Sequence, residues 1–364
     1  MDGDQKASLN ERLRAAMFAS RHSIFPAYRT PAEVFDGLAE ACRELGIEEW
    51  DFYGERGPVA LLEATVSELF GRPVTYFPSG TMAQQVALRI HADTAGHRRV
   101  AMPDLSHLLV HEDDGARILQ DLLIEHLTTG RTTPTRAHLD VIPGPLAAVL
   151  VELPLRDAGC LLPTFEELTD LSQACRERGI AFHVDGARIW ESQPFLGKEL
   201  PEIAAVADSL YVSFYKGLGG LAGAALVGDE DFLAQARLWR HRMGGTLFHT
   251  TPEAVAALVG LRDRLPRIPD HVEWARALAA ALPDSITVQP QVPHTNTFLL
   301  YAAGEPDDVN TRLLAATEER SLAFSRPWSA AEEPGRVVTE LTVGDGALDQ
   351  DPNTIAGLIA ELLP

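Results

Sequence analysis

The chain has 364 residues, enough for about two domains with a sizeable buried core and no need of a disulfide or metal staple. Hydrophobic residues make up 46% and charged residues 23%, an ordinary globular balance, but 31 Lys+Arg face 52 Asp+Glu, a net charge of −21. Such a field argues against nucleic acid and anionic membranes as partners, since both need cations to meet phosphates. The three cysteines, Cys42, Cys160 and Cys175, show no metal-type spacing. No secretory leader follows Met1 and no apolar run approaches the roughly 18 residues of a span. The expected setting is the reducing cytoplasm, without a metal.

Taken in chain order, residues 1–29 read as an N-terminal arm. Thr30-Pro-Ala-Glu33 then combines an N-cap, a proline at the first helical position and a capping-box glutamate, predicting a helix to about Gly46. A turn-rich stretch, Asp51–Pro58, leads into a second helix ending near Gly71. From there apolar runs alternate with amphipathic ones. Strands are expected at Val74–Phe77, Val100–Met102, Ala147–Leu153, Ile180–Asp185, Ser209–Phe214 and Ala224–Val227. Helices are expected at Thr81–Ala95, Thr164–Arg178 and Asp229–Arg242. Continuous apolar strands between helices predict an α/β domain whose mainly parallel sheet is covered by helices, over residues 30–255. After about Thr251 the pattern changes to a smaller C-terminal α+β domain, 256–364. It carries helices near Pro252–Arg264 and His271–Leu282, strands near Ser285–Val288, Thr297–Tyr301 and Arg336–Thr342, and a last helix at Pro352–Leu363.

Four segments could carry chemistry. Phe77-Pro-Ser-Gly-Thr-Met-Ala-Gln84 ends a strand and starts a helix, so its free N–H groups and helix dipole suit a phosphate; an ordinary capped turn reads the same way. It lacks the Gly-Lys-Ser/Thr of a Walker loop. In His183-Val-Asp-Gly-Ala-Arg188, Asp185 closes an apolar strand, where open α/β sheets bind ligands; a helix-capping aspartate is the plainer reading. In Ser209–Gly220, Lys216 follows a buried strand and precedes a glycine-rich loop. There a lysine either reaches solvent or, desolvated, forms a Schiff base. The glycines do not spell a dinucleotide fingerprint, which disfavours an NAD-dependent dehydrogenase. His107 and His111, four apart, lack the further ligands that zinc needs. Together the first three supply what pyridoxal phosphate requires: a helix N-terminus for its phosphate, a carboxylate for its ring nitrogen and a lysine for its aldehyde.

Ser79-Gly-Thr-Met, His107 followed by Glu112, Asp185-Gly-Ala-Arg188 and Lys216-Gly-Leu-Gly, in that order, resemble the low-specificity L-threonine aldolase and β-eliminating lyase family of fold-type I pyridoxal-phosphate enzymes. The resemblance runs from about Tyr53 to Gly245. It implies that Lys216 holds the cofactor covalently and that Asp185 pairs with the ring nitrogen. Ser79, Gly80, Thr81 and Ser213 would lie around the phosphate cradle, with Gly80 and Thr81 binding it. His107 would stack on the ring and assist proton transfer. Arg188 would lie near cofactor and substrate carboxylate, and Arg336 would clamp that carboxylate, with Arg326 as the fallback. It also implies a homodimer or homotetramer with the site at the subunit interface, to which Tyr53 and Arg242 would contribute. The stretch Glu152-Leu-Pro-Leu-Arg-Asp-Ala-Gly159 departs from the family by placing Arg156 and Asp157 where aldolases usually carry a second histidine, so Arg156 joins the substrate-binding candidates. The implied activity is cleavage of a β-hydroxy-α-amino acid to glycine and an aldehyde. β-Elimination, transaldol transfer or a catalytically inactive binding protein of the same fold are the alternatives.

Overall fold

The computed structural model describes residues 3–26 and 28–364, with side chains from residue 9 onward. The chain divides into two compact units: Pro31–Pro266, and the N-terminal segment up to Thr30 together with Arg267–Pro364.

The larger unit is built on a seven-stranded sheet of β1 (Val74–Phe77), β2 (Arg99–Met102), β3 (Leu123–His126), β4 (Ala148–Glu152), β5 (Ala181–Gly186), β6 (Ser209–Ser213) and β7 (Ala224–Val227). Their order across the sheet is β1-β7-β6-β5-β4-β2-β3. Strand β7 runs antiparallel to both neighbours and the remaining pairs are parallel. Every residue of β1, β4, β6 and β7 is buried, which explains why these strands read as unbroken apolar runs: both faces are covered. The expected fold class, a mainly parallel α/β sheet with a smaller α+β unit, is the one found.

Chain order reverses between β2 and β4. From β2 the chain goes outward to β3, and from β4 it goes the other way to β5 and β6. Beyond the carboxyl ends of strands at such a switch point, connections diverge and leave a crevice. Helix α1 (Pro31–Glu44) starts at the Pro31 signal. Helix α2 (Gly57–Phe70) ends on Gly71 in the left-handed conformation. Helix α3 (Gly80–Ala95) follows β1 and is capped by Ser79, whose hydroxyl accepts the Met82 N–H at 3.3 Å. Helix α4 (Phe165–Glu177) has the reciprocal Thr164/Glu167 capping box. Helix α5 (Ile189–Leu196) follows β5, and α6 (Glu230–Arg242) and α7 (Thr251–Asp263) follow β7.

The smaller unit has an antiparallel sheet of β8 (Thr287–Gln289), β9 (Thr297–Ala303), β10 (Ser329–Ala330) and β11 (Arg336–Thr342), ordered β10-β11-β9-β8. Buried and half-buried residues alternate along β11, so only one face meets the core. Helices α8 (Ile268–Ala281), α9 (Pro306–Arg320) and α10 (Pro352–Glu361) accompany the sheet. Phe298, Leu300, Phe324, Trp328, Ile355 and Ile359 form its core, and Leu13 of the helix Gly3–Ala19 joins them. His22–Ser23 pairs in parallel with Leu322–Ala323. The segment expected as an arm thus carries a helix and a strand. Among the described residues no helix is long and apolar enough to cross a membrane, and no group of three or more His, Cys, Asp or Glu side chains could hold a metal.

Candidate active site

The ends of β4, β5 and β6 place ionisable groups side by side. Glu152 is paired in register with Asp185, and Asp185 with Tyr211. Asp185 is 5% exposed; its Oδ1 accepts the Ala187 N–H at 2.9 Å and its Oδ2 accepts the side-chain amide of Gln84. Burial raises the Asp185 pKa, and the positive charge of Lys216 opposes that rise. A carboxylate taken out of water needs such a counter-charge.

Lys216 lies three residues past β6, its N–H 3.4 Å from the Ser213 hydroxyl. Burial lowers its pKa, with Asp185 and Glu152 pulling it up and Arg188 and Arg156 pushing it down. The balance favours an amine that loses its proton more readily than a surface lysine, the state a nucleophile needs. Gly217 leaves room beside it for the Glu191 carboxyl, which a Cβ there would meet at 2.4 Å and displace. Glu191 is fully buried and its Oε1 lies 3.4 Å from Arg188 Nη1.

The phosphate-type cradle is present at the start of α3. Gly80 is buried, and a Cβ on it would lie 2.1 Å from the Tyr211 hydroxyl, so only glycine lets the helix begin this close to β6. Thr81 and Ser79 are exposed beside it. The first-turn N–H groups of an eight-residue or longer helix carry positive dipole charge without intrahelical partners.

His107 follows β2 across the switch point. Its backbone N–H donates to Glu152 Oε1 at 2.6 Å, and its Nδ1 is 3.4 Å from Glu112 Oε1. Glu112 is in turn tied to Gln85 at 3.2 Å. The adjacent glutamines of α3 therefore serve two carboxylates, Gln84 on Asp185 and Gln85 on Glu112. Glu152, 4% exposed, has its pKa pushed up to about 8, first by burial and then by the negative charge of Asp185. Arg156 lies 3.8 Å from Asp157, and Asp157 holds His111 Nε2 at 2.8 Å.

The interactions of Lys216 and Asp185 gather Lys216, Asp185, His107, Arg188, Arg156, Glu112 and Glu152 into one locality. The other expected residues are placed separately. Tyr53 is exposed on a left-handed turn, its N–H bonded to Phe248 O at 3.0 Å. Asp51 anchors that turn by accepting from Thr251, Thr250 and Gly54. Arg242 is exposed at the end of α6, stacked 5.0 Å from the Trp239 ring. Arg336 opens β11 in the smaller unit and bonds Thr287 at 2.9 Å and Glu333 at 3.4 Å. Arg326 lies 4.4 Å over the Phe25 ring.

Sequence reasoning passed over Glu152, Glu191, Gln84 and Arg240. Glu152 carried the same signal that singled out Asp185, an acid closing an apolar strand. Arg240 is 6% exposed, donates to the Tyr76 carbonyl and was obscured by its neighbour Arg242. A buried carboxylate facing a desolvated lysine, beside a helix start that excludes a Cβ, fits the pyridinium, aldehyde and phosphate of pyridoxal phosphate.

Comparison with known proteins agrees. Residues 38–305 match the family described as beta-eliminating lyase. The chain is 29% identical over 257 residues to probable low-specificity L-threonine aldolase 2 of Arabidopsis thaliana, covering 67% of this chain and 72% of that protein. It is 30% identical over 239 residues to the low specificity L-threonine aldolase of Escherichia coli K12, covering 64% and 71%. A crystal structure from Listeria monocytogenes EGD-E, provisionally described as an L-allo-threonine aldolase, superposes with a TM-score of 0.90 at 34% identity over 98% of this chain and 99% of that one. The Leishmania major threonine aldolase shares the fold, with a TM-score of 0.70 at 19% identity over 94% and 98%. The chain belongs to the beta-eliminating lyase family and is a pyridoxal-phosphate-dependent lyase related to the threonine aldolases.

Proposed function

We propose that the enzyme cleaves the Cα–Cβ bond of a β-hydroxy-α-amino acid, giving glycine and an aldehyde. The observation that carries this reading is the convergence of Lys216, Asp185 and His107 at the switch point, beside the glycine-only start of α3. When bound, pyridoxal phosphate supplies the electron sink for whichever Cα bond breaks.

The residues around it divide the remaining work. Lys216 Nζ, desolvated and close to Asp185, is the amine that engages the aldehyde. Asp185 presents a buried negative charge to the ring nitrogen and keeps it protonated, which favours electron withdrawal. The N–H groups of Gly80 and Thr81, with the Thr81 hydroxyl, take the phosphate. Ser79 and Ser213 hold the two backbone segments that border it. His107, steadied by Glu112, is the base for the β-hydroxyl proton, which is lost as the Cα–Cβ bond opens. Arg188 would bind the substrate carboxylate and so select which bond at Cα is cleaved, a positioning effect. Arg156 occupies the place of the usual second histidine and meets the distal end of the substrate. The functional unit is a homodimer or homotetramer, with Tyr53 and Arg242 contributing at the interface.

The test is incubation of the loaded enzyme with L-threonine and L-allo-threonine. Glycine and acetaldehyde in equal amounts support the reading. Ammonia and a 2-oxo acid would replace it by β-elimination, the outcome that Arg156 in place of histidine makes worth measuring.

A further inference from the structure

A continuous line of buried polar groups runs from Asp185 into the protein interior. Asp185 Oδ2 meets Gln84 Nε2; Gln84 Oε1 lies 2.6 Å from His183 Nε2; His183 Nδ1 lies 2.7 Å from the Ser209 hydroxyl; and that hydroxyl lies 2.7 Å from His91 Nε2. Exposure is 5% at Asp185, 2% at Gln84, 0% at His183 and Ser209, and 9% at His91. Three elements contribute: Gln84 and His91 lie on α3, His183 and Asp185 on β5, and Ser209 on β6, opposite His183 in register. All five are buried, where a well-packed apolar core would be the cheaper filling.

Donor and acceptor chemistry leaves the line one polarity when Asp185 is ionised. A carboxylate only accepts, so the Gln84 amide nitrogen must face it and the amide oxygen must face His183. His183 then carries its proton on Nε2 and has a bare Nδ1. The Ser209 hydroxyl donates to that Nδ1 and accepts from His91, which also carries its proton on Nε2. The opposite polarity, with the Gln84 amide oxygen toward Asp185 and His183 protonated on Nδ1, is open only to an Asp185 protonated on Oδ2.

We infer that Gln84, His183, Ser209 and His91 are positioning residues that keep Asp185 aimed and favour its ionised form, because Gln84 donates to Oδ2 and each further link braces the Gln84 amide against turning over. The inference rests on the reading of Asp185 as the partner of the cofactor ring. Burial pushes the His183 pKa down to about 3 and the His91 pKa down to about 4, so neither ring gains a second proton near neutrality. The charges nearest His91 are Asp208 and Asp229, and the Phe232 ring stacks 5.3 Å from it.

The experiment is histidine 15N–1H spectroscopy of the cofactor-loaded protein, with His183→Asn and His91→Asn serving to assign the two rings among the twelve histidines. Both rings are expected neutral and protonated on Nε2, unchanged from about pH 6 to 8, the range in which a free histidine titrates. Nδ1-protonated His183, or a ring that titrates in that range, overturns the inference. Gln84→Met removes both links at similar volume. It is expected to weaken pyridoxal-phosphate binding by about 10- to 100-fold, the scale of a hydrogen bond to a charged group, and to free the His183 tautomer. Wild-type affinity in this variant contradicts the inference. If Gln84→Met does not fold, Ser209→Ala, which leaves Asp185 and Gln84 intact, is expected to release the His183 tautomer, and a tautomer still fixed on Nε2 is the contrary result. Borohydride trapping of the cofactor on Lys216 in the same samples separates the two readings. Trapping with the wrong tautomer defeats the chain alone, whereas no trapping defeats the reading of the site.

Discussion

The two units bury different kinds of polar group. In the smaller unit they are mostly Thr, Ser and Asn, such as Thr295, Asn296, Thr297, Asn310 and Ser325, with His271 the buried ionisable side chain among the described residues. Their bonds go largely to backbone: Asn310 grips the backbone of Trp328 on both sides, and Asn296 donates to the Val343 carbonyl. The larger unit buries Asp51, Glu152, Asp185, Glu191, His91, His183 and Arg240. Asp185 and Glu152 sit at strand ends and Glu191 in the first turn of α5, which concentrates desolvation and opposite charge around Lys216. Neutral polar groups finish a fold; ionisable ones at that depth cost stability and are kept where chemistry needs a shifted pKa.

Substitutions sharpen this contrast. Lys216→Ala should abolish the visible absorbance of bound cofactor and lower turnover by about a thousandfold or more, the scale for losing a covalent nucleophile. Asp185→Asn keeps the shape but removes the charge, and activity should fall by about 100- to 1000-fold, as for loss of one aimed electrostatic contact. The Asn NH2 would face a donor, either the Ala187 N–H or the Gln84 amide, so the thermal midpoint should fall as well, and unchanged activity in this variant would contradict the role of Asp185. His107→Phe keeps a ring and removes the base, and should cost about 100-fold in aldol turnover with cofactor absorbance retained.

Smaller effects are expected in stability. Gly80→Ala drives a Cβ into the Tyr211 hydroxyl and should destabilise the protein by about 1–3 kcal/mol, measured by denaturant titration. Glu152 tests the sign of a buried acid. Its folded pKa, about 8, lies above the ordinary 4.5, so the folded state holds a proton that the unfolded state has lost between those values. The stability this contributes is present below about 4.5 and is lost as the pH rises through about 8. Glu152→Gln should flatten that slope in the cofactor-free protein.

Much of this was legible in the chain itself. The apolar strands of the larger unit and the Thr164 cap follow from local chemistry, and the four motifs in their order carry the family resemblance. Strand β3 was not expected, because its residues are exposed or half-buried at the sheet edge and carry no apolar run. Nor was α9, whose Glu- and Asp-rich surface hides the few core positions Val309, Leu313 and Leu314. Glu152 and the Gln84–His91 line escaped for a different reason. Their meaning lies in neighbours 26 or more positions away, brought together by the fold and not by spacing in sequence.

The central claim is that Lys216 carries the cofactor. It is tested most directly by reducing the pyridoxal-phosphate-loaded enzyme with borohydride, digesting it and locating the modified lysine by mass spectrometry. One pyridoxyl group per chain, on Lys216, is the expected result. A modified Lys198, or an unmodified chain at saturating cofactor, would contradict it.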